Sequence, residues 1–130
     1  MAAAKHLPVY KEASRLVRHL YETTKKAPRE LRYTLVQRLL AESVELIVDI
    51  DSANRHEKQE RLDFIKQAQK RVVRLSVLLG AAYEQRCLSK GAAALCIKSI
   101  SDIEKQMFGW GKHTHKGLAV VGQPELGAST

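Results

Sequence analysis

No proline interrupts this chain between Pro28 and Pro124, and proline is the residue that most strongly breaks a helix. Across that stretch apolar residues recur at three- and four-residue intervals, the spacing of a helix with one buried face. The pattern predicts an all-α fold, an up-and-down four-helix bundle over residues 1–110, followed by a mobile glycine-containing tail over 111–130. A chain of 130 residues fits one domain able to bury a core. Aromatic residues are few, and β-branched residues do not alternate as strands require.

The charges are segregated by sign. Residues 1–40 hold nine Lys or Arg against three acids, 41–65 three against seven, 66–90 six against one, and 91–130 four against three, giving the formal net charge of +8. If the helices alternate in direction, the first and third junctions share one end, which becomes the positive pole of a molecule suited to polyanions. Only Cys87 and Cys96 are present, and no secretory stretch follows Met1, so reduced thiols and a cytoplasmic location are expected. No apolar run approaches the roughly 20 residues of a membrane span.

Helix 1 is predicted from Pro8 to about Lys26, with Val9, Ala13, Leu16, Val17 and Leu20 inward and Lys11, Arg15, Arg18 and Glu22 outward. Helix 2 follows from Pro28 to about Asn54. Its apolar sector, Leu31 to Ile50, is widened by Tyr33, Val44 and Val48, as though it had two surfaces to cover. Arg29 and Arg32 fall near its start, where long stems can pack while the guanidinium groups reach water or phosphate. On its other side Arg38, Glu42, Glu45 and Asp49 read as a solvated strip. Residues 51–57 are the expected turn. Helix 3, from Lys58 to Cys87, sets Leu62, Ile65, Val72, Leu75, Leu79 and Tyr83 against Lys66, Lys70, Arg71 and Arg74. Residues 75–83 are apolar all round, which predicts deep burial or a subunit interface. With Ser89 as N-cap, helix 4 is expected from Lys90 to Phe108, its stripe being Leu95, Cys96, Ile100, Ile103 and Met107.

Catalytic patterns are weak. No glutamate has a histidine three residues later, His56-Glu57 lacks the second histidine of a zinc-protease motif, and His113 and His115 have no nearby cysteine or acid. No metal or other cofactor is expected, and the two cysteines read as packed thiols. Small helical ribonucleases of the HEPN type set an arginine and a histidine on one helix with four to six residues between them; Arg15 and His19 have only three, a near miss. The stronger reading is anion binding by Lys11, Arg15, Arg18, Lys25, Lys26, Arg29 and Arg32 from the first half and Lys66, Lys70, Arg71 and Arg74 from helix 3, extended at its exit by Arg86 and Lys90. The paucity of aromatics favours structured nucleic acid or an acidic protein surface over stacked single strands.

Three segments carry a family likeness: Leu16-Val-Arg-His-Leu-Tyr21, the proline-started Pro28-Arg-Glu-Leu-Arg-Tyr-Thr-Leu35, and the closing Met107-Phe-Gly-Trp-Gly-Lys112. With them, residues 7–112 resemble Avd, the accessory variability determinant of diversity-generating retroelements. The proteins encoded in 23S ribosomal RNA intervening sequences share the bundle, but their Asn-Ile-Ala-Glu-Gly-like end of helix 2 is absent from Ile47-Val-Asp-Ile-Asp-Ser-Ala-Asn54. The resemblance implies a non-enzymatic homopentamer that binds RNA or DNA, partners a reverse transcriptase and supports mutagenic retrohoming. It supplies no residue-by-residue binding motif, so the basic stripes themselves are the candidate site.

Overall fold

The computed structural model describes residues 3–126, with side chains through Leu118. A short 3₁₀ turn, Ala4–His6, leads into α1, Pro8–Thr23, whose proline sits in the first turn where no amide partner is needed. The Thr23 and Thr24 hydroxyls donate to the carbonyls of His19 and Leu20 at 2.8 and 2.7 Å, and the helix stops there, three residues before the predicted end. The second helix, α2, begins as Arg29–Leu31, passes through a π-helical turn at Arg32–Val36 and continues over Gln37–Arg55. The predicted 51–57 turn is thus mostly helix; only His56 and Glu57 separate α2 from α3, Lys58–Glu84. Arg61 holds that corner, its Nε donating to the Ala53 carbonyl at 2.9 Å and its Nη2 to that of Asn54 at 3.3 Å. Both carbonyls lie in the last turn of α2, where helical partners run out, and that of Ala53 accepts the His56 amide as well at 3.4 Å.

The fourth helix, α4, spans Lys90–Leu126, with the Ala92 amide donating to the Ser89 hydroxyl as the N-cap reading anticipates. It does not stop near Phe108. Gly109, Gly111 and Gly117 lie inside it, none with positive φ, so the expected tail over 111–130 is helical as far as Leu126. The seam explains why: Met107, Gly111 and Thr114 are buried and Leu118 half-buried, continuing the three- and four-residue spacing. Gly111 permits the close approach, because a Cβ there would lie 3.2 Å from Cγ2 of Ile65. Residues 127–130 of the expected tail lie outside the described residues.

The helices form a bundle-like packing in which α1 contacts α2 and α4, and α3 contacts α2 and α4. The core between them is built from Ala13, Leu16 and Leu20 of α1, Leu39, Leu46 and Ile50 of α2, Ile65, Val72 and Leu75 of α3, and Cys96, Ile103 and Met107 of α4. Two sequence readings shift by one helical step of about 100°. Leu95, expected in the stripe of α4, is exposed because Cys96 and Ile100 take the inward direction. Tyr83 is likewise exposed, and Ala82 is buried in its place. The apolar segment 75–83 is not deeply buried throughout, since Val77 is 68% exposed. No helix among the described residues is long and apolar enough to cross a membrane.

Candidate nucleic-acid interface

Cationic side chains cover the outside of α1 and part of α3. On α1, Lys11, Arg15 and Arg18 are exposed at successive three- and four-residue steps and therefore share one strip. Glu12 restrains it from the side: its Oε1 accepts from Nη1 of Arg15 at 2.9 Å, and its Oε2 accepts from the Ser99 hydroxyl of α4 at 2.8 Å. Arg15 remains largely exposed in that pair, so its guanidinium has donors left for an incoming anion. Lys25, Lys26, Arg29 and Arg32 follow at the α1 to α2 junction and are all exposed. The Nε of Arg32 donates to the Ala27 carbonyl at 2.9 Å, which orients the guanidinium without neutralising it.

Lys66 and Lys70 are exposed on α3, four residues apart on one face. Arg71 is not part of that face and must be removed from the basic stripe. Its Nε donates to Oδ2 of Asp49 at 2.7 Å and its Nη1 to Oε2 of Glu42 at 2.5 Å, both across the α2 to α3 contact. Gln67 donates to the other Asp49 oxygen at 2.8 Å, so the carboxylate, 3% exposed, is satisfied on both sides. Burial works against the Arg71 charge, but hydrogen bonds and attraction from Asp49 and Glu42 outweigh it and raise the guanidinium pKa above its ordinary value. The supposed solvated strip on α2 is corrected by the same contacts: Asp49 is buried and Glu42 turns to Arg71. Arg74 stays mostly exposed, 3.7 Å from the second Glu42 oxygen, and is only partly free for other anions.

Arg15 and His19, the near-miss ribonuclease pair, both border a shallow depression on α1 with Arg18 and Tyr21. The His19 Nε2, however, lies 3.3 Å from the Ala92 carbonyl of α4, so that ring nitrogen serves the helix contact. No group of three or more His, Cys, Asp or Glu among the described residues is arranged to hold a metal. Cys87 and Cys96 are buried free thiols; burial raises both pKa values, that of Cys96 to about 11, which suits packing and not nucleophilic chemistry.

Apolar surface accompanies the charge. On α3 the exposed line Lys66, Lys70, Val73, Val77 turns from cationic to apolar halfway along. Between α3 and α4, Leu79, Gly80, Ala94 and Ile97 line a groove of about 660 Å³. Val44 and Val48 on α2 and Leu95 and Phe108 on α4 are also exposed. The sequence pattern marks Val44 and Val48 and the segment 75–83 as surplus apolar surface, but not Leu95 and Phe108, because it scores how apolar a residue is and not whether a neighbour exists to cover it. No protein-family model matches the chain, and no curated protein matches it.

Proposed function

We propose that this protein is a non-enzymatic, cytoplasmic accessory factor of the Avd type, which binds nucleic acid and a reverse transcriptase in support of mutagenic retrohoming. The observation that carries the reading is the exposed cationic track of Lys11, Arg15 and Arg18 on α1, with Lys25, Lys26, Arg29 and Arg32 beyond it; Lys66 and Lys70 form a separate exposed pair on α3, which does not contact α1. Such groups neutralise phosphates whatever the base sequence, and an accessory factor that handles many template sequences needs that property. The resemblance in the three segments quoted above supplies the choice of partner.

The helices of this reading alternate up and down. In its favour, Lys25 and Lys26 after α1 line the same cavity as Arg86 and Lys90 between α3 and α4, as a shared end requires. The assembly is a homopentamer. Uncovered Val73, Val77, Ile97 and Phe108 on the adjoining helices α3 and α4 support association, since large apolar side chains left in water favour a neighbour that covers them, and the number five comes from the resemblance. The test is a variant carrying Arg15→Glu, Arg18→Glu, Lys66→Glu and Lys70→Glu, none of which is a core residue. Fluorescence anisotropy with a structured RNA at about 150 mM KCl should show affinity lowered by about tenfold or more. Unchanged affinity contradicts the proposal.

A further inference from the structure

At the end of the molecule where the α1 to α2 and α3 to α4 connections meet, a cavity of about 930 Å³ opens to solvent. Four cationic residues line it, Lys25, Lys26, Arg86 and Lys90, against two acids, Glu22 and Glu84. Glu22 is already engaged by Lys25 at 3.4 Å, whereas Lys26, Arg86 and Lys90 have no ion pair among the described residues. The N-terminus of α4 opens onto the same space through Ser89 and Lys90, adding the partial positive charge of a helix start. The cavity therefore holds an excess of positive charge matched to a dianion.

Arg86 sits there against its own backbone preference. Its φ is 62°, and the Arg86 and Cys87 amides donate to the carbonyls of Tyr83 and Ala82 at 3.0 and 2.8 Å, the pattern of a Schellman stop in which this position is usually glycine. An arginine in the left-handed region gives up stability that glycine would keep, and residues held in this way cluster where a ligand is bound. The strip of Lys11, Arg15 and Arg18 leads toward this opening through Glu22, which the α1 depression and the cavity share. A double helix cannot enter a space of this size, but a terminal nucleotide fits, and a terminal phosphomonoester carries close to two negative charges at neutral pH.

We propose that this cavity is a phosphate pocket that receives the phosphorylated end of the polynucleotide lying along α1, an assignment that rests on the nucleic-acid reading above. The test uses one hairpin RNA with a short single-stranded overhang, prepared with a 5′-phosphate, a 3′-phosphate or neither, and bound to the full chain. One phosphorylated form should bind about tenfold more tightly than the unphosphorylated hairpin, the scale of charge-assisted hydrogen bonds to a single added group. Arg86→Gly and Lys90→Ala should each reduce that preference, and together abolish it, while affinity for the unphosphorylated hairpin falls far less. Arg86→Gly relieves the backbone and should leave the melting temperature unchanged or higher, so loss of preference cannot be ascribed to misfolding. Equal binding of all three hairpins by the unaltered protein, or a preference that survives both substitutions, overturns the pocket alone. Failure to bind any of them overturns the nucleic-acid reading as well.

Discussion

Replacing Arg71 with alanine should separate its structural role from the anion-binding role that its position in the sequence suggests. Arg71 is the only cation that the described residues place on buried Asp49, and it also holds Glu42. Its loss leaves Asp49 with Gln67 alone and strands a carboxylate between α2 and α3. Breaking a buried pair from one side costs roughly 3 to 5 kcal/mol, and because Glu42 and Arg71 keep some contact with water the lower figure, about 3 kcal/mol, applies. With a urea dependence of roughly 1.5 kcal/mol per molar, the unfolding midpoint should fall by about 2 M. Replacing Arg71, Asp49 and Glu42 together by Met, Leu and Gln removes the stranded charge and should recover most of that loss. RNA affinity of the folded Arg71→Ala protein should stay within about twofold of the parent, since this guanidinium is already occupied. A midpoint shift under about 0.5 M, or a large loss of RNA affinity at unchanged stability, would refute the assignment.

Gly109→Ala should stabilise the protein by roughly 0.5 to 1 kcal/mol, because the position is helical and a Cβ there meets nothing within 4 Å; destabilisation in urea titration would mean that α4 does not run through it. Val77→Asp combined with Ile97→Lys should yield a lone subunit by light scattering with its helical circular dichroism intact, and an unaltered solution mass would show that this face covers no neighbour. With its pKa raised to about 11, Cys96 has a thiolate fraction at pH 8 about a hundredfold below that of an unperturbed thiol. Its alkylation by iodoacetamide should be at least that much slower in the native protein than in urea, and accelerate as pH rises toward 11; rapid labelling at pH 8 would contradict its burial.

The helical architecture was legible because punctuation and periodicity agree over long stretches. Pro8, Pro28 and Ser89 mark starts close to the observed ones, and Leu16, Leu39, Ile65 and Ile103 fall on faces that are buried. The sequence does not distinguish Arg71 from the basic stripe, because neighbours on a helix point about 100° apart and charge counting cannot tell Lys70, facing solvent, from Arg71, facing two acids of another helix. Gly109 and Gly111 read as a stop because glycine is poor in helices, yet Met107, Gly111 and Thr114 continue a buried seam against α3, and tertiary packing outweighs the intrinsic preference. The meeting of Arg86 and Lys90 with Lys25 and Lys26 follows from the expectation that the first and third junctions share an end, but the cavity they line there and the left-handed backbone of Arg86 have no signal in the sequence.

The most direct measurement of the central claim, that the cationic exterior binds polyanions through phosphate contacts, is the affinity of the unaltered protein for a structured RNA across a series of KCl concentrations. Five or more phosphate contacts along Lys11, Arg15, Arg18, Lys25 and Lys26 predict a straight line of log affinity against log salt with a slope of about −4 or steeper. Absence of binding at about 50 mM KCl, or a slope shallower than about −1, would contradict the account.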